Sequence, residues 1–267
     1  MSNNIAVYNF KGGVGKTTTT LNVGYSWSKN FKVLLIDCDP QCNLTNVASQ
    51  GQYTSTLYDQ TKSLLHGQTP DIVPVEITPY LHLIPGDYRM AELESNSHYI
   101  NFGSEINRKF LSHLGPLYDL VILDCPTHFG VFVKALLDNI DGILIPTVPD
   151  NFSITGVQTL LQYLSTLNSF RSINILGIFF NMYRKSIIQN GRVMRDSKEL
   201  FGNLILKTTI GSSTRVREAN NHGISVLDYE PDCSVSKDFD NLCDELISKL
   251  FEKKTLDSVM DLDKIKA

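Results

Sequence analysis

Short apolar runs punctuate the chain over residues 5–9, 33–37, 120–124, 142–145 and 173–181. Each is continuous rather than alternating, which is the pattern of a strand covered on both faces, as in a parallel sheet. Between them, apolar positions three and four apart predict helices over 17–28, 153–166, 192–201 and 235–253. Strand and helix in alternation imply an α/β fold, a doubly wound, mainly parallel sheet with helices on both faces. The stretch 51–83 is less regular. Prolines at 70, 74 and 79 interrupt it, and only short edge strands over 72–76 and 81–84 are expected there. No repeat, low-complexity tract or linker breaks the pattern, so the expectation is one domain over 1–267.

The first run leads directly into Phe10-Lys11-Gly12-Gly13-Val14-Gly15-Lys16-Thr17-Thr18, giving strand, glycine-rich loop and helix in the order that phosphate binding requires. Backbone N–H groups of Gly12, Gly13, Val14 and Gly15 can curve around an anion, and the following helix adds the positive end of its dipole. Lys16 is spaced to reach the β- and γ-phosphates, the Thr17 hydroxyl to hold Mg²⁺, and Thr18 to donate one further hydrogen bond. The strict phosphate-loop spacing has glycine where Phe10 stands, and a second lysine, Lys11, lies inside the loop. Lys11 comes too early to follow Lys16 to the same nucleotide. Its expected use is therefore to reach a phosphate held by another subunit across a dimer interface. Two later strands end in acids. The run 33–37 passes into Asp37-Cys38-Asp39-Pro40-Gln41-Cys42-Asn43, and the run 120–124 ends in Asp124, placed as a central strand delivers a carboxylate to bound metal.

Lys11 to Thr17 resembles the deviant Walker A loop of the ParA/MinD family of ATPases, which segregate plasmids, chromosomes and other cargo, and the segment from Asp37 to Asn43 resembles the family's DxDPQxN box. The resemblance spans nearly the whole chain and is nearest to the ParA-type partition proteins. It implies ATP and Mg²⁺ as ligands, with Lys11, Lys16 and Asp39 as the catalytic set. Asp39 positions the attacking water or the Mg²⁺ shell, Asp37 is a metal or lysine partner, and Thr17, Asp39 and Asp124 attend the metal. Asn181, at the end of the 173–181 strand, falls where relatives keep a contact to adenine, and Pro149 and Asp150 fall in the segment that packs beside the base. The implied cycle is an ATP-dependent sandwich homodimer that binds nonspecific DNA, hydrolyses ATP slowly and answers to a ParB-like or other adaptor.

Composition adjusts this picture in three places. The formal charge of −4 over 267 residues gives no reason to expect nucleic acid, but from residue 184 to 217 eight basic residues face two acids. Such a stripe can neutralise backbone phosphates without reading sequence. Arg215 and Arg217, in a segment similar to the family's Arg-x-x-Glu-Ala stretch, are the leading DNA contacts, with Arg184, Lys185, Arg192 and Arg195 behind them. A membrane-associated MinD-type role is the alternative. The apolar positions 246, 247, 250 and 251 and the lysines after them invite it, but eleven acids against six lysines from residue 228 onward repel an anionic bilayer. Cysteines at 38, 42, 125, 233 and 243 form no CxxC pair, which reads as reduced thiols rather than a disulfide framework or an iron–sulfur carrier. No apolar run spans a bilayer and no secretory leader is visible, so the expectation is a cytoplasmic, nucleoid-associated protein.

Overall fold

The computed structural model describes residues 3–167 and 173–251. Seven strands form one sheet: β1 (Asn3–Val7), β2 (Val33–Asp37), β3 (Val75–Thr78), β4 (Leu81–Ile84), β5 (Leu120–Asp124), β6 (Gly142–Thr147) and β7 (Asn174–Phe180). Their spatial order is β3-β4-β2-β5-β1-β6-β7, and every neighbouring pair is parallel except β3 with β4. The continuous apolar runs follow from burial on both faces. Ala6, Leu34, Ile36, Val121 and Leu123 pack into one core layer, while Ile5, Val7, Val33, Leu35, Leu120 and Ile122 pack into the other.

The second layer is closed by α1 (Lys16–Trp27), α2 (Asn43–Ala48), α8 (Thr214–Asn221), α9 (Val226–Tyr229) and α10 (Ser234–Phe251), which bring in Trp27, Leu44, Ala219, Val226 and Phe239. The first layer is closed by α3 (Leu57–Leu65), α4 (Ser97–Leu114), α5 (Val131–Leu137), α6 (Asn151–Leu164) and α7 (Ile188–Phe201). A 3₁₀ turn over Tyr88–Ser95 leads into α4.

The predicted strands stand with small shifts. β6 continues through Pro146 because pairing with β1 ends at Leu144, so the missing proline N–H is not needed there. The first edge strand covers 75–78 rather than 72–76, starting just after Pro74. Helix α7 begins four residues before the expected 192, since the Asn190-Gly191 pair that reads as a turn is drawn inward, with Asn190 donating to the Arg184 carbonyl. The helix over 235–253 is seen as α10, and residues 252–253 lie outside the described residues. Helices α2, α3, α4, α5, α8 and α9 are not among those the sequence predicts, although Thr56 and Asp59 form a capping box for α3 and Asn96 caps α4.

Phe239 is fully buried, whereas Phe152 is 85% exposed. Phe239→Ala is expected to lower unfolding free energy by about 3–5 kcal/mol in chemical denaturation, and Phe152→Ala by no more than about 0.5 kcal/mol.

Candidate active site

The carboxyl ends of the central strands form one edge, the crevice where open α/β sheets bind ligands. Register fixes what stands there. Val7 pairs with both Asp124 and Leu144, and Asp37 pairs with Asp124, so the glycine loop and both strand-end acids leave the sheet at one level. The loop is tied at its start by Asn9, whose side chain donates to the Pro146 carbonyl at 2.8 Å and accepts from the Lys11 N–H at 2.9 Å. Gly13 and Gly15 hold φ of 73° and 88°, left-handed values that favour glycine. At Gly15 a Cβ would also collide with the Asn181 amide. Gly15 caps α1 and has no side chain with which to occupy the opening N–H groups of the helix.

Phe10 explains the departure from strict spacing. Its ring meets Tyr8 at 5.6 Å, Phe129 at 5.9 Å and Tyr163 at 6.3 Å between centroids, each edge-on. This aromatic cluster joins the glycine loop to α6 and to the loop after β5.

Lys16 and Thr17 open α1. Lys16 is 8% exposed and its Nζ lies 3.4 Å from the Lys11 carbonyl, curled over the loop. Burial pushes its pKa down, against the attraction of Asp124, Cys125 and Asp39. Asp124 is buried, and its Oδ1 accepts a 3.4 Å hydrogen bond from Thr20 while Oδ2 has no partner. Burial, reinforced by the nearby Asp37 charge, drives the Asp124 pKa well up, and the Thr17 hydroxyl opposes the rise. Thr18 is half-buried, and its backbone carbonyl accepts from the Asn22 amide at 2.7 Å.

Asp37 serves the loop that follows it. Its Oδ2 accepts from the Thr45 N–H at 2.8 Å and the Thr45 hydroxyl at 2.7 Å, and its Oδ1 accepts from the Asp39 N–H at 3.1 Å. Thr45 also accepts from the Gly86 N–H at 2.7 Å, linking this loop to the end of β4. These hydrogen bonds make Asp37 the anchor of the loop from Asp39 to Thr45. Asp39 is half-buried beyond it, with Oδ1 accepting from the Gln41 N–H at 2.9 Å. Sequence reasoning missed Thr20 and Thr45. Thr45 lies at the end of the Asp-rich block, where a hydroxyl near a buried acid was the available signal.

Two further expected residues have partners within the chain. Asn181 is buried, with Nδ2 donating to the Val14 carbonyl at 2.9 Å and Oδ1 accepting from the Met182 N–H at 2.9 Å, so it props the glycine loop. Asp150 caps α6 by accepting from the Ser153 N–H at 2.8 Å and binds the Lys11 ammonium at 2.6 Å, and Lys11 also reaches the Ser153 hydroxyl at 3.0 Å. Pro149 is half-buried just before this cap. Of the basic residues, Arg184, Lys185, Arg192, Arg195 and Arg217 are exposed. Arg184 lies 3.4 Å from the Ser212 hydroxyl at the approach to α8. Arg215 is also exposed, but its guanidinium is paired within the subunit to Glu218 and Glu230, each at 2.8 Å. All five cysteines are free, with Cys38 and Cys125 buried directly after the two strand-end acids.

The family model described as AAA domain matches residues 2–175. The chromosome partitioning protein ParA of Caulobacter vibrioides is 30% identical over 261 residues, spanning 92% of this chain and 94% of the relative. The chain belongs to the ParA/MinD family of P-loop ATPases. The chromosome-partitioning ATPase Soj of Treponema pallidum is 28% identical over 259 residues, covering 93% of this chain and 98% of the relative. Among solved structures, apo McdA from Cyanothece matches with TM-score 0.77 at 24% identity over 92% of this chain and all of that one. MinD from Pyrococcus horikoshii, complexed with Mg-ADP, matches with TM-score 0.74 at 21% identity over 95% of this chain and all of that one. These likenesses carry the fold. Among the described residues, no helix is long and apolar enough to cross a membrane.

The residues at this family site fit ATP and Mg²⁺ on the geometry just given. A glycine loop with left-handed turns opens onto a helix start and, among the described residues, no carboxylate is fastened to the Lys16 ammonium and one oxygen of the buried Asp124 carboxylate is without a hydrogen-bond partner.

Burial pushes Asp37 up to about 6, partly offset by its hydrogen bonds from Thr45 and Asp39. An unfolded aspartate titrates near about 3.9, so the folded chain holds a proton that the unfolded chain releases. This contribution to stability is complete below the unfolded value and is lost as pH rises through the folded one. Asp37→Asn lacks the titration, so its melting temperature is expected to fall less than that of the native chain between about pH 4.5 and 7. Parallel slopes in scanning calorimetry would mean that Asp37 titrates as an ordinary carboxylate.

Proposed function

We propose that this ParA-like ATPase works as a positioning switch, in which ATP joins two subunits face to face and the pair binds nonspecific DNA until hydrolysis releases it. The observation that carries the reading is the different placement of the two loop lysines. Lys16 curls over the glycine loop to the Lys11 carbonyl, whereas Lys11 reaches across to Asp150 at the cap of α6, where a third of its side chain is exposed. A cation on the rim serves a phosphate approached from outside, which is the geometry a partner subunit supplies.

Within one subunit, backbone N–H groups of residues 12–15 and the start of α1 hold the phosphates, and Lys16 meets their charge. Thr17 and Asp124 are the residues that would hold Mg²⁺, which would supply positive charge to the phosphate oxygens when bound. Asp39, presented by the Asp37-Thr45 clamp, orients the attacking water. Phosphoryl transfer of this kind depends on positioning, so slow turnover and stimulation by a separate adaptor are expected. The DNA face is the exposed set Arg184, Lys185, Arg192, Arg195 and Arg217. Arg215, already paired with two glutamates, contributes less than its sequence position suggests. Two faces joined in a dimer turn weak attraction into bivalent binding.

Binding to a nonspecific duplex, measured with ATP, ADP and no nucleotide at two salt concentrations, tests the reading. Binding with ATP alone, weakened by salt, is expected, and Arg217→Glu should reduce it further than Arg215→Glu while both variants still pair. Equal binding in all nucleotide states would overturn the switch. Asp39→Ala should accumulate the ATP-bound pair, and wild-type turnover by that variant would remove Asp39 from its assigned role.

A further inference from the structure

Lys11 is engaged in an ion pair with Asp150 at the cap of α6. Lys11 Nζ is 2.6 Å from Asp150 Oδ2 and 3.0 Å from the Ser153 hydroxyl, with the Lys11 and Asp150 side chains 34% and 41% exposed. Asp150 has two jobs on two oxygens, since Oδ1 caps α6 through the Ser153 N–H while Oδ2 holds the ammonium. Burial works to raise the Asp150 pKa, but Lys11 and the Ser153 donors hold it below the usual range. A lysine beside the first turn of a helix faces the positive end of the helix dipole, so Lys11 rests there because of the Asp150 charge. The same edge leaves Phe152 85% and Ile188 78% exposed at the starts of α6 and α7, which follow adjacent strands.

We propose that Asp150 is a positioning residue that holds Lys11 on its own subunit and so sets the protein concentration at which ATP-bound chains pair. This rests on the reading that Lys11 acts across the dimer interface. To reach a partner's phosphate, Lys11 must leave Asp150, and the exchange happens twice in a symmetric pair. A half-exposed ion pair is worth about 1.5- to fivefold in an equilibrium constant. Breaking two therefore weakens pairing by about two- to 25-fold relative to a chain whose Lys11 is already free. Pairing returns the charge of Lys11 to a phosphate and leaves Asp150 as the helix cap alone.

Asn is as good an N-cap as Asp, so Asp150→Asn keeps the α6 cap and removes only the holding charge. Light scattering at saturating ATP and Mg²⁺, as protein concentration rises, reads the dimer dissociation constant. Asp150→Asn is expected to pair about two- to 25-fold more tightly than the native chain, and Ser153→Ala to shift it more weakly in the same direction. A purely structural role for Asp150 would loosen pairing or leave it alone, and either result overturns the proposal. Lys11→Ala separates the two levels. If it pairs as well as the native chain, the cross-interface reading fails and the proposal with it. If it fails to pair while Asp150→Asn is unchanged, the holding role alone fails. Lys11→Ala combined with Asp150→Asn should match Lys11→Ala, because no ammonium remains to be held.

Discussion

The parallel register of β2, β5 and β1 is the constraint on which the site depends. It sets Asp37, Asp124 and Val7 side by side at the carboxyl edge, so the glycine loop starts where two buried acids end. A one-residue slip would turn each side chain to the opposite face and break both core layers, so the apolar packing that holds the sheet also holds the chemistry in place. Buried acids this close are unfavourable to each other, and the fold divides their work. Asp37 is satisfied by Thr45 and by the Asp39 N–H, while Asp124 keeps an oxygen without a partner. A buried carboxylate oxygen without a hydrogen-bond partner costs free energy, and a cation held by Asp124 would offset that cost.

The glycine loop is held from three sides before any ligand arrives. Asn9 ties its start to β6, Asn181 ties its middle to β7, and Phe10 packs into an aromatic cluster reaching α6 and the loop after β5. Preorganisation of this kind leaves the backbone N–H groups aimed and lowers the ordering needed when phosphate binds. Phe10 thus replaces a flexible glycine with a packed anchor, and the loop trades conformational freedom for attachment to neighbouring elements. Asn22 extends the frame, accepting from Ser225 and Val226 and so fastening α1 to α9.

Charge at the rim is arranged differently from charge in the cleft. Lys16 and Asp124 are buried and their pKa values are displaced by burial, whereas Lys11, Asp150 and the basic residues beyond β7 lie near solvent. Partners are screened and exchangeable there, which suits groups that change partner during a cycle. Arg215 belongs to the other kind, since its two glutamate contacts tie α8 to the turn after α9.

Much of this was legible in the chain itself. Continuous apolar runs marked five strands because both faces are covered, and the spacing of Gly13, Gly15, Lys16 and Thr17 marked the phosphate loop because that turn is local and needs left-handed backbone. Helices α2 to α5, α8 and α9 were not legible, since their apolar faces are specified by the layer they cover more than by their own propensity. Nor were the partners of Asp37, Asn181, Asp150 and Arg215. Those side chains meet Thr45, Val14, Lys11 and Glu230, at separations from eight to 167 residues along the chain. The sequence by itself determined the sheet, the phosphate loop and the inventory of charged groups, because these follow from local periodicity and backbone conformation. Only the tertiary structure decided which carboxylate anchors the loop from Asp39 to Thr45, which keeps an open oxygen and which holds Lys11, because those assignments depend on which groups burial leaves within hydrogen-bonding reach.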